Sequence, residues 1–265
     1  MVRTNDVHIR APAALAEGEN EYIGPADPHG MGFSVLRLTR ALTGRTDHET
    51  CLVLLSGKGR VRVGGEDHDV ERSSLLDEEP WTFLLPAGED FAVLPEPEME
   101  LAVIRTENER RFSPRVFAPD AVDVERRGED LVDGACFRLV KTVFDHSTMA
   151  ESNLVVGEVV NQPGRWSSYP PHHHPQPELY YYRFVPGQGY GFSQLGDRAI
   201  KVSEGSLVCI PPDTDHPQVA APGYAMWYLW VVRHLPDDPY TGFTFDPRHE
   251  WTLDPGADVW RIGKG

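Results

Sequence analysis

The chain has 265 residues, 40% of them hydrophobic and 25% charged, and its 41 acidic and 25 basic side chains give a net charge of −16. This charge excludes the basic surface that nucleic acids and anionic membranes require. The sequence also lacks the roughly 18 consecutive apolar residues of a membrane span and the apolar core of a signal peptide, so we expect a cytoplasmic protein.

The first half of the chain is predicted to be β-structure. Short runs rich in β-branched residues are separated by Gly, Pro, Asp and Glu, at 33–38, 51–55, 59–65, 82–86, 91–95 and 99–105. RVRV at 60–63 alternates polar and apolar residues, as a half-buried strand does. The close spacing of the runs is typical of an antiparallel sandwich or barrel.

A second β set follows a charged connection at 105–134. Its apolar runs lie at 154–160, 179–186, 199–202, 206–211 and 225–232. Both halves contain a strand followed by a Pro-led turn, at Pro86 and at Pro211, which suggests duplication of one β unit. A chain of this length can bury two cores, so we predict an N-terminal domain at 1–120 and a C-terminal domain at 121–265.

Four residues of the second half predict a metal site. Residues two apart on a strand face the same side, so His172 and His174 can point together while His173 points away. Glu178 follows at an even interval across a Pro-rich bend, and His216 comes one strand pair later. Three imidazoles and one carboxylate leave two positions free on an octahedral ion, which is typical of a catalytic site.

The spacing of these residues matches the two-part cupin motif. H-x-H and a following Glu form the first part, and Gly205, Pro211 and His216 stand at the intervals of the second, with Asp213 in place of the usual Gly. Asp tolerates a positive φ better than most residues, so the turn can form. The first half has no H-x-H, and Phe91 stands where a fourth ligand would be. We therefore predict an all-β protein of two tandem cupin-type β-barrels (double-stranded β-helix, jelly roll), with metal ligands in the second only.

Longer stretches carry a resemblance to one family: CLVLLSGKGRVRV (51–63), WSSYPPHHH (166–174), ELYYYRF (178–184) and IPPDTDHPQVAAPGY (210–224). They are similar to the 5-deoxy-glucuronate isomerase family of bacterial myo-inositol catabolism, a bicupin family. The resemblance implies a metal-dependent aldose–ketose isomerase, with His172, His174, Glu178 and His216 holding one divalent ion. Zinc is our first choice among zinc, manganese, iron and nickel. The resemblance also implies a homo-oligomer.

An isomerase of this kind needs a general base besides its metal ligands. Strand parity directs Tyr180 and Tyr182 inward, and we take Tyr182 as the candidate catalytic residue, with aromatic packing as the alternative role. Arg165 and Arg183 are the candidates for binding a substrate carboxylate, with plain surface positions as the alternative.

Three departures from the family leave the substrate open. Trp230 replaces an Asn, the loop at 193–202 is short, and Glu178 stands alone where the family has a pair of Glu residues. The alternatives are therefore a related cupin isomerase acting on another deoxy or keto uronate, an iron-dependent cupin oxygenase, and a non-catalytic sugar-binding cupin. The expected partner is a small-molecule sugar acid in each case.

Overall fold

A computed structural model describes residues 7–12 and 14–263. The prediction of an all-β protein is confirmed, because this part of the chain forms 21 strands and only three short 3-10 helices, at Pro119–Ala121, Val132–Gly134 and Glu250–Leu253. None of the helices in these residues is long and apolar enough to span a membrane.

The chain opens with a short strand, β1 (His8–Ile9), and residues 18–117 then form a region that we call the N-terminal unit. Its eight antiparallel strands are β2 (Gly18–Ile23), β3 (Met31–Leu38), β4 (Leu42–Arg45), β5 (Glu49–Val63), β6 (Glu66–Arg72), β7 (Thr82–Leu85), β8 (Asp90–Thr106) and β9 (Arg115–Phe117). Neighbouring strands follow the order β2–β3–β8–β5–β7–β9, with β4 paired to β8 and β6 paired to β5.

Residues 123–245, together with β1, form the C-terminal unit. Its further strands are β10 (Asp123–Arg127), β11 (Arg138–Phe144), β12 (Leu154–Asn161), β13 (Trp166–Ser167), β14 (His172–His173), β15 (Glu178–Val185), β16 (Tyr190–Leu195), β17 (Arg198–Ser203), β18 (Leu207–Ile210), β19 (Gln218–Ala220), β20 (Ala225–Arg233) and β21 (Thr244–Phe245). A seven-stranded sheet, β1–β18–β15–β20–β12–β11–β10, packs on a four-stranded sheet, β13–β19–β16–β17, and β14 pairs with β21.

The boundaries of the strands differ from the sequence prediction in two ways. Four predicted runs merge into the long strands β5 and β8, whose pairing shifts register between Leu54 and Ser56 and between Gly57 and Gly59. Such bulges bend a strand without ending it. In addition, β1 pairs with β18, so the first described residues belong to the C-terminal unit although the predicted boundary lies at residue 120. None of the sheets in the described residues closes on itself, and closed barrels therefore stay a prediction.

The interiors of the two units differ in chemistry. The interior of the N-terminal unit is a cluster of aliphatic and aromatic side chains that includes Leu52, Phe83 and Leu101. The corresponding cluster of the C-terminal unit contains Tyr180 and Tyr182 among its aliphatic residues. A third cluster lies between the units and joins their large sheets, so the hydrophobic effect stabilises the two units as one body.

A buried ion pair also connects the units. Arg72 of β6 and Glu158 of β12 form two charge-assisted hydrogen bonds of 2.7 Å, and both side chains are 0% exposed. Arg72 also donates to the backbone oxygens of Leu54 and Glu78. Because its charge and both of its terminal nitrogens are compensated inside the protein, this arginine can be buried without leaving an unpaired ion. Only its Nε has no partner among the described residues.

Candidate metal-binding site

The predicted ligands converge inside the C-terminal unit, near the start of β15. Glu178 is the first residue of β15, and His174 follows the short strand β14. His216 follows a turn in which Asp213 has a φ of 55° and its N–H donates to the His174 carbonyl oxygen at 2.8 Å. Asp213 therefore adopts the left-handed conformation that the sequence analysis required of it in place of Gly.

Three of the predicted ligands lie in contact. Nε2 of His174 and Nε2 of His216 are each 3.2 Å from the same atom, Oε2 of Glu178, and all three residues are at most 5% exposed. Two ligand atoms that lie about 2.1 Å from one ion at a right angle are about 3.0 Å apart. The spacing therefore suits binding of a common divalent cation.

His172 lies beside this group, with its ring centroid 4.9 Å from that of His216. Nδ1 of His172 donates to the carbonyl oxygen of Pro170 at 3.1 Å, and Nδ1 of His216 donates to that of Thr214 at 2.8 Å. Because a carbonyl oxygen only accepts, Nε2 is the unprotonated nitrogen in the neutral form of both rings. Hydrogen bonds of this kind orient imidazoles for metal binding.

The electrostatics of the group favour a bound cation. Burial opposes ionisation of Glu178, but the imidazoles of His174 and His216 hold its pKa at about 2. Burial lowers the pKa of His172 to about 3, so this ring is neutral at neutral pH. Nε2 of His216 is buried, and its contact of 3.2 Å with Glu178 does not form a well-aligned hydrogen bond. An ionised carboxylate in contact with buried imidazole nitrogens is a donor set that fits a divalent metal.

The four predicted ligands line a cavity of about 270 Å³. This volume lies near the lower limit of small-molecule pockets, which span about 300–1,000 Å³. Its other polar and aromatic lining residues include Arg127, Arg138, Tyr180, Tyr228, Trp230 and Tyr240. The cavity is therefore suited to a small polar ligand next to the candidate metal ligands.

The segment after β20 covers the cavity. Phe243 stacks on His172 with a centroid distance of 4.1 Å, and Tyr240 meets His174 edge-on at 4.8 Å. β21 holds this segment in place by pairing Phe245 with His172. These residues could not be predicted from the sequence to cover a ligand, because only the folded chain brings them to the histidines.

The candidate catalytic residue Tyr182 lies outside the cavity wall. Strand parity was correct, since Tyr180 and Tyr182 both belong to the interior cluster of the C-terminal unit. Tyr182, however, is further from the start of β15 than Tyr180, is 0% exposed, and donates a hydrogen bond to Gln218. Tyr180 lines the cavity instead, because it stands only two residues from Glu178.

The two arginines predicted to bind a carboxylate do not line the cavity either. Arg183 projects from β15 toward the other unit and pairs with Glu100 of that unit at 2.7 Å and with Glu204 of its own unit at 2.9 Å. Arg165 precedes β13 and is half-buried away from the cavity lining. The cavity-lining arginines are Arg127 and Arg138. Neither was predicted from the sequence: Arg127 lies in residues 105–134, which were expected to be a connection, and Arg138 follows that segment without a motif that marks it.

The structure explains how the two conspicuous departures from the family pattern are accommodated. Trp230 lines the cavity, and a Cβ at Gly157 would lie 2.3 Å from its indole ring, so Gly157 leaves the space that the ring occupies. Nε1 of Trp230 is buried and has no hydrogen-bond partner in the described residues. The short 193–202 segment is a tight hairpin between β16 and β17, and it contributes no residue to the cavity lining.

Comparisons with known proteins agree on one family. A model described as the KduI/IolB family matches residues 15–252. A protein of Geobacillus thermodenitrificans named 5-deoxy-glucuronate isomerase is 32% identical, and the match covers 84% of this chain and 86% of that protein. A Bacillus subtilis (strain 168) protein of the same name is 27% identical over 78% of this chain and 80% of its own.

Solved structures give the same result for the fold. An IolB-like protein from Salmonella typhimurium LT2 superposes with a TM-score of 0.81 and 26% identity, covering 93% of this chain and 99% of its own. An oxalate decarboxylase from Lactobacillus farciminis superposes with a TM-score of 0.63 over 88% of this chain and 85% of its own, at 12% identity. This second similarity concerns the fold alone.

Proposed function

This chain belongs to the KduI/IolB family, and on that premise we propose that it is a metal-dependent isomerase that converts 5-deoxy-glucuronate into the corresponding ketose. One observation carries the proposal. His174, Glu178 and His216 meet at a single carboxylate oxygen inside a cavity, in a chain whose relatives bear the name of this activity. The imidazole and carboxylate groups of these three residues support metal dependence, and the names of the relatives support the isomerase activity.

The proposal assigns one divalent ion to each chain. His174, Glu178 and His216 would hold it, and His172, beside His216, would complete the set. Zinc remains the first choice, since imidazole and carboxylate are both among its usual ligands. The proposal also includes two cupin-type barrels, one from each unit, and the similarity to an oxalate decarboxylase fold supports that architecture.

The reaction moves a hydrogen between two adjacent carbons of the sugar. C1 is an aldehyde carbon in the substrate and a hydroxymethyl carbon in the product, while C2 changes from a secondary alcohol to a ketone. When bound, a divalent ion polarises a carbonyl oxygen and makes the hydrogen on the neighbouring carbon easier to remove. The cavity must also bind the sugar hydroxyls and exclude water.

Tyrosines in the wall are suited to bind the sugar oxygens. Burial raises the pKa of Tyr180, and burial also raises that of Tyr228, so both hydroxyls stay protonated at neutral pH. Their side chains are held by hydrogen bonds with Ser168 and Ser167, respectively. Protonated, positioned hydroxyls donate hydrogen bonds to developing negative charge on oxygen, and they do not act as bases at neutral pH.

The covering segment would keep the reacting carbons away from solvent. Phe243 lies on His172 and Tyr240 on His174, and these residues all line the cavity. Exclusion of water strengthens electrostatic interactions and protects a reactive intermediate from side reactions. Because Phe243 is 38% exposed, it forms the outer side of this cover, and Tyr240 forms the inner side.

The direct test is NMR of 5-deoxy-glucuronate incubated with the purified metal-loaded protein. We expect the aldose C1 resonance to decline while a ketone carbon appears, and we expect His216→Ala to abolish the conversion. Absence of a ketose with the folded, metal-loaded protein would overturn the proposal. Oxygen uptake by an iron-loaded sample would then favour an oxygenase, and ligand stabilisation without turnover would favour a sugar-binding protein. A cytoplasmic location and a homo-oligomer stay predictions.

A further inference from the structure

Two arginines face each other on neighbouring strands at the cavity. Arg127 of β10 and Arg138 of β11 are directly opposite in the antiparallel register, and both line the cavity. Like charges at directly opposite positions destabilise a strand pair. Glu125 compensates the charge of Arg127, so the charge of Arg138 is the one that still needs an explanation.

Arg138 is a buried cation without a carboxylate partner. It is 5% exposed, and no Asp or Glu within the described residues forms an ion pair with it at 4.0 Å or less. The other deeply placed arginines are compensated, Arg72 by Glu158 and Arg183 by Glu100 and Glu204. Glu125 interacts with Arg138 only at longer range than an ion pair. A buried charge without a partner in direct contact is costly, so its retention in a cavity indicates a ligand of opposite charge.

The donors of both guanidinium groups are only partly used. Nη1 of Arg138 donates to the Cys136 carbonyl oxygen at 2.9 Å, and in the described part of the chain Nε and Nη2 have no hydrogen-bond partner. Nε and Nη2 of Arg127 bind Glu125, which leaves its Nη1 without a protein acceptor. Two guanidinium groups with free donors on one wall match the oxygens of a carboxylate.

The backbone leaves room for this arrangement. Gly128, directly after β10, has a φ of +74°, and a Cβ there would lie 3.0 Å from Nη1 of Arg138 and 2.6 Å from the Cys136 carbonyl oxygen. A larger residue would therefore displace the guanidinium group. Arg127 lies further out, with 38% of its side chain exposed, so the pair extends from the interior toward the mouth of the cavity.

Tyrosines connect the arginine pair with the candidate metal ligands. The ring of Tyr180 lies 5.8 Å from that of His216 and 4.6 Å from that of Tyr228. Tyr228 shares the cavity wall with Arg138. One small ligand can thus contact the metal ligands with its reacting carbons, the tyrosines with its hydroxyls and the arginines with an acidic group.

We propose that Arg127 and Arg138 bind the carboxylate of the substrate and so select sugar acids over neutral sugars. The identity of the sugar acid rests on the proposed function, whereas the preference for a carboxylate does not. The arginines also explain how this chain could bind an anion. Its net charge of −16 repels an acidic ligand at long range. Arg138, which has no ion-pair partner among the described residues, offsets that repulsion locally, and Arg127, whose charge Glu125 already compensates, adds its free Nη1 as a donor.

The test compares an acidic substrate with its neutral counterpart in Arg138→Gln. We expect kcat/KM for 5-deoxy-glucuronate to fall about 10- to 100-fold, the loss of one or two charge-assisted hydrogen bonds, while kcat/KM for 5-deoxy-glucose changes by less than about twofold. Arg138→Lys, which keeps the charge without the planar fork, should lie between. Arg126→Gln is the matched control. Arg126 directly precedes Arg127 on β10 and pairs with Glu129 at the surface.

Equal loss on the acidic and the neutral substrate would overturn the proposal, as would unchanged kinetics in Arg138→Gln. The melting temperature (Tm) of the Arg138 variants shows whether Arg138 instead stabilises the fold. The proposal predicts a Tm no lower than that of the unmodified protein, because the substitution removes a like-charge contact, whereas a structural role predicts a lower Tm in both Arg138 variants.

Failure of the proposed function is distinguished by a binding measurement. If the unmodified protein turns over neither sugar, thermal shift with D-glucuronate and D-glucose still tests the subsite. Stabilisation by glucuronate alone, lost in Arg138→Gln and kept in Arg126→Gln, would support the carboxylate subsite with another substrate. Equal response to both sugars, or none to glucuronate, would overturn it.

Discussion

The two units place different chemistry on interiors built from similar antiparallel strands. The interior of the N-terminal unit is apolar, and Phe91 packs against its cluster. The C-terminal unit instead carries histidines, a carboxylate, tyrosines and two arginines around a cavity. We infer that side chains fill the interior of the N-terminal unit and stabilise the fold, whereas the C-terminal unit packs less tightly and holds a site. Each of the following predictions tests that division.

The largest effect is expected from a metal-ligand substitution in the C-terminal unit. His216→Ala removes a nitrogen that lies 3.2 Å from Glu178. Loss of a bound metal removes several kcal/mol of transition-state stabilisation, so we expect turnover of 5-deoxy-glucuronate to fall at least about 1,000-fold. Steady-state kinetics with NMR detection measures the loss. A variant that keeps more than a tenth of the activity would contradict the division of roles.

The next largest effect concerns the contact between the units. Arg72→Met leaves the carboxyl group of Glu158 0% exposed and without its arginine partner, and we expect the free energy of unfolding to fall by about 3–5 kcal/mol. The double variant Arg72→Met with Glu158→Leu removes both charges and should recover most of that loss. Urea denaturation of the single and double variants tests this, and an equally unstable double variant would argue against charge compensation as the reason for the pair.

A core substitution in the N-terminal unit should have a comparable or smaller effect on stability and none on chemistry. Leu101 is 0% exposed in the interior cluster, and Leu101→Ala should cost about 2–5 kcal/mol of unfolding free energy. In the folded protein at low temperature, kcat and metal content should be unchanged. Loss of metal in proportion to loss of stability would show that the two units do not divide these roles.

The smallest effect is expected at the wall of the cavity. Trp230→Phe keeps an aromatic ring over Gly157 but removes the indole N–H, which has no partner in the described residues. If this N–H donates to the substrate, KM should rise about 2- to 10-fold, because the loss of one neutral hydrogen bond weakens binding by about that factor. An unchanged KM would restrict Trp230 to shaping the cavity.

The features that the sequence predicted depend on local geometry. A period of two on strands placed Tyr180 and Tyr182 on the inner face, and the structure confirms it. The tolerance of Asp for a positive φ predicted the turn at Asp213, which adopts a φ of 55°. Both follow from the backbone preferences of a few neighbouring residues, and these are encoded in the sequence itself.

The features that the sequence analysis missed depend on contacts between distant segments. Arg127 lines the cavity only because β10 adds to the edge of the large sheet beside β11, which carries Arg138, and the polar sequence of β10 is typical of a connection. Arg183 was a reasonable carboxylate partner by type, but Glu100 of the other unit already pairs with it. Tyr182 lies two residues further along β15 than Tyr180. Whether a tyrosine of this strand reaches the cavity likewise depends on the side chains that pack across the interior.

The most direct test of the central claim is the metal content of variants at adjacent histidines. Elemental analysis should find about one divalent ion per chain in the unmodified protein and none in the double variant His172→Ala with His174→Ala. His173→Ala is the control, since Nδ1 of His173 faces Asp215 at 2.9 Å, and it should retain the ion. A full equivalent of metal in the double variant would contradict the account, as would loss of metal from the control.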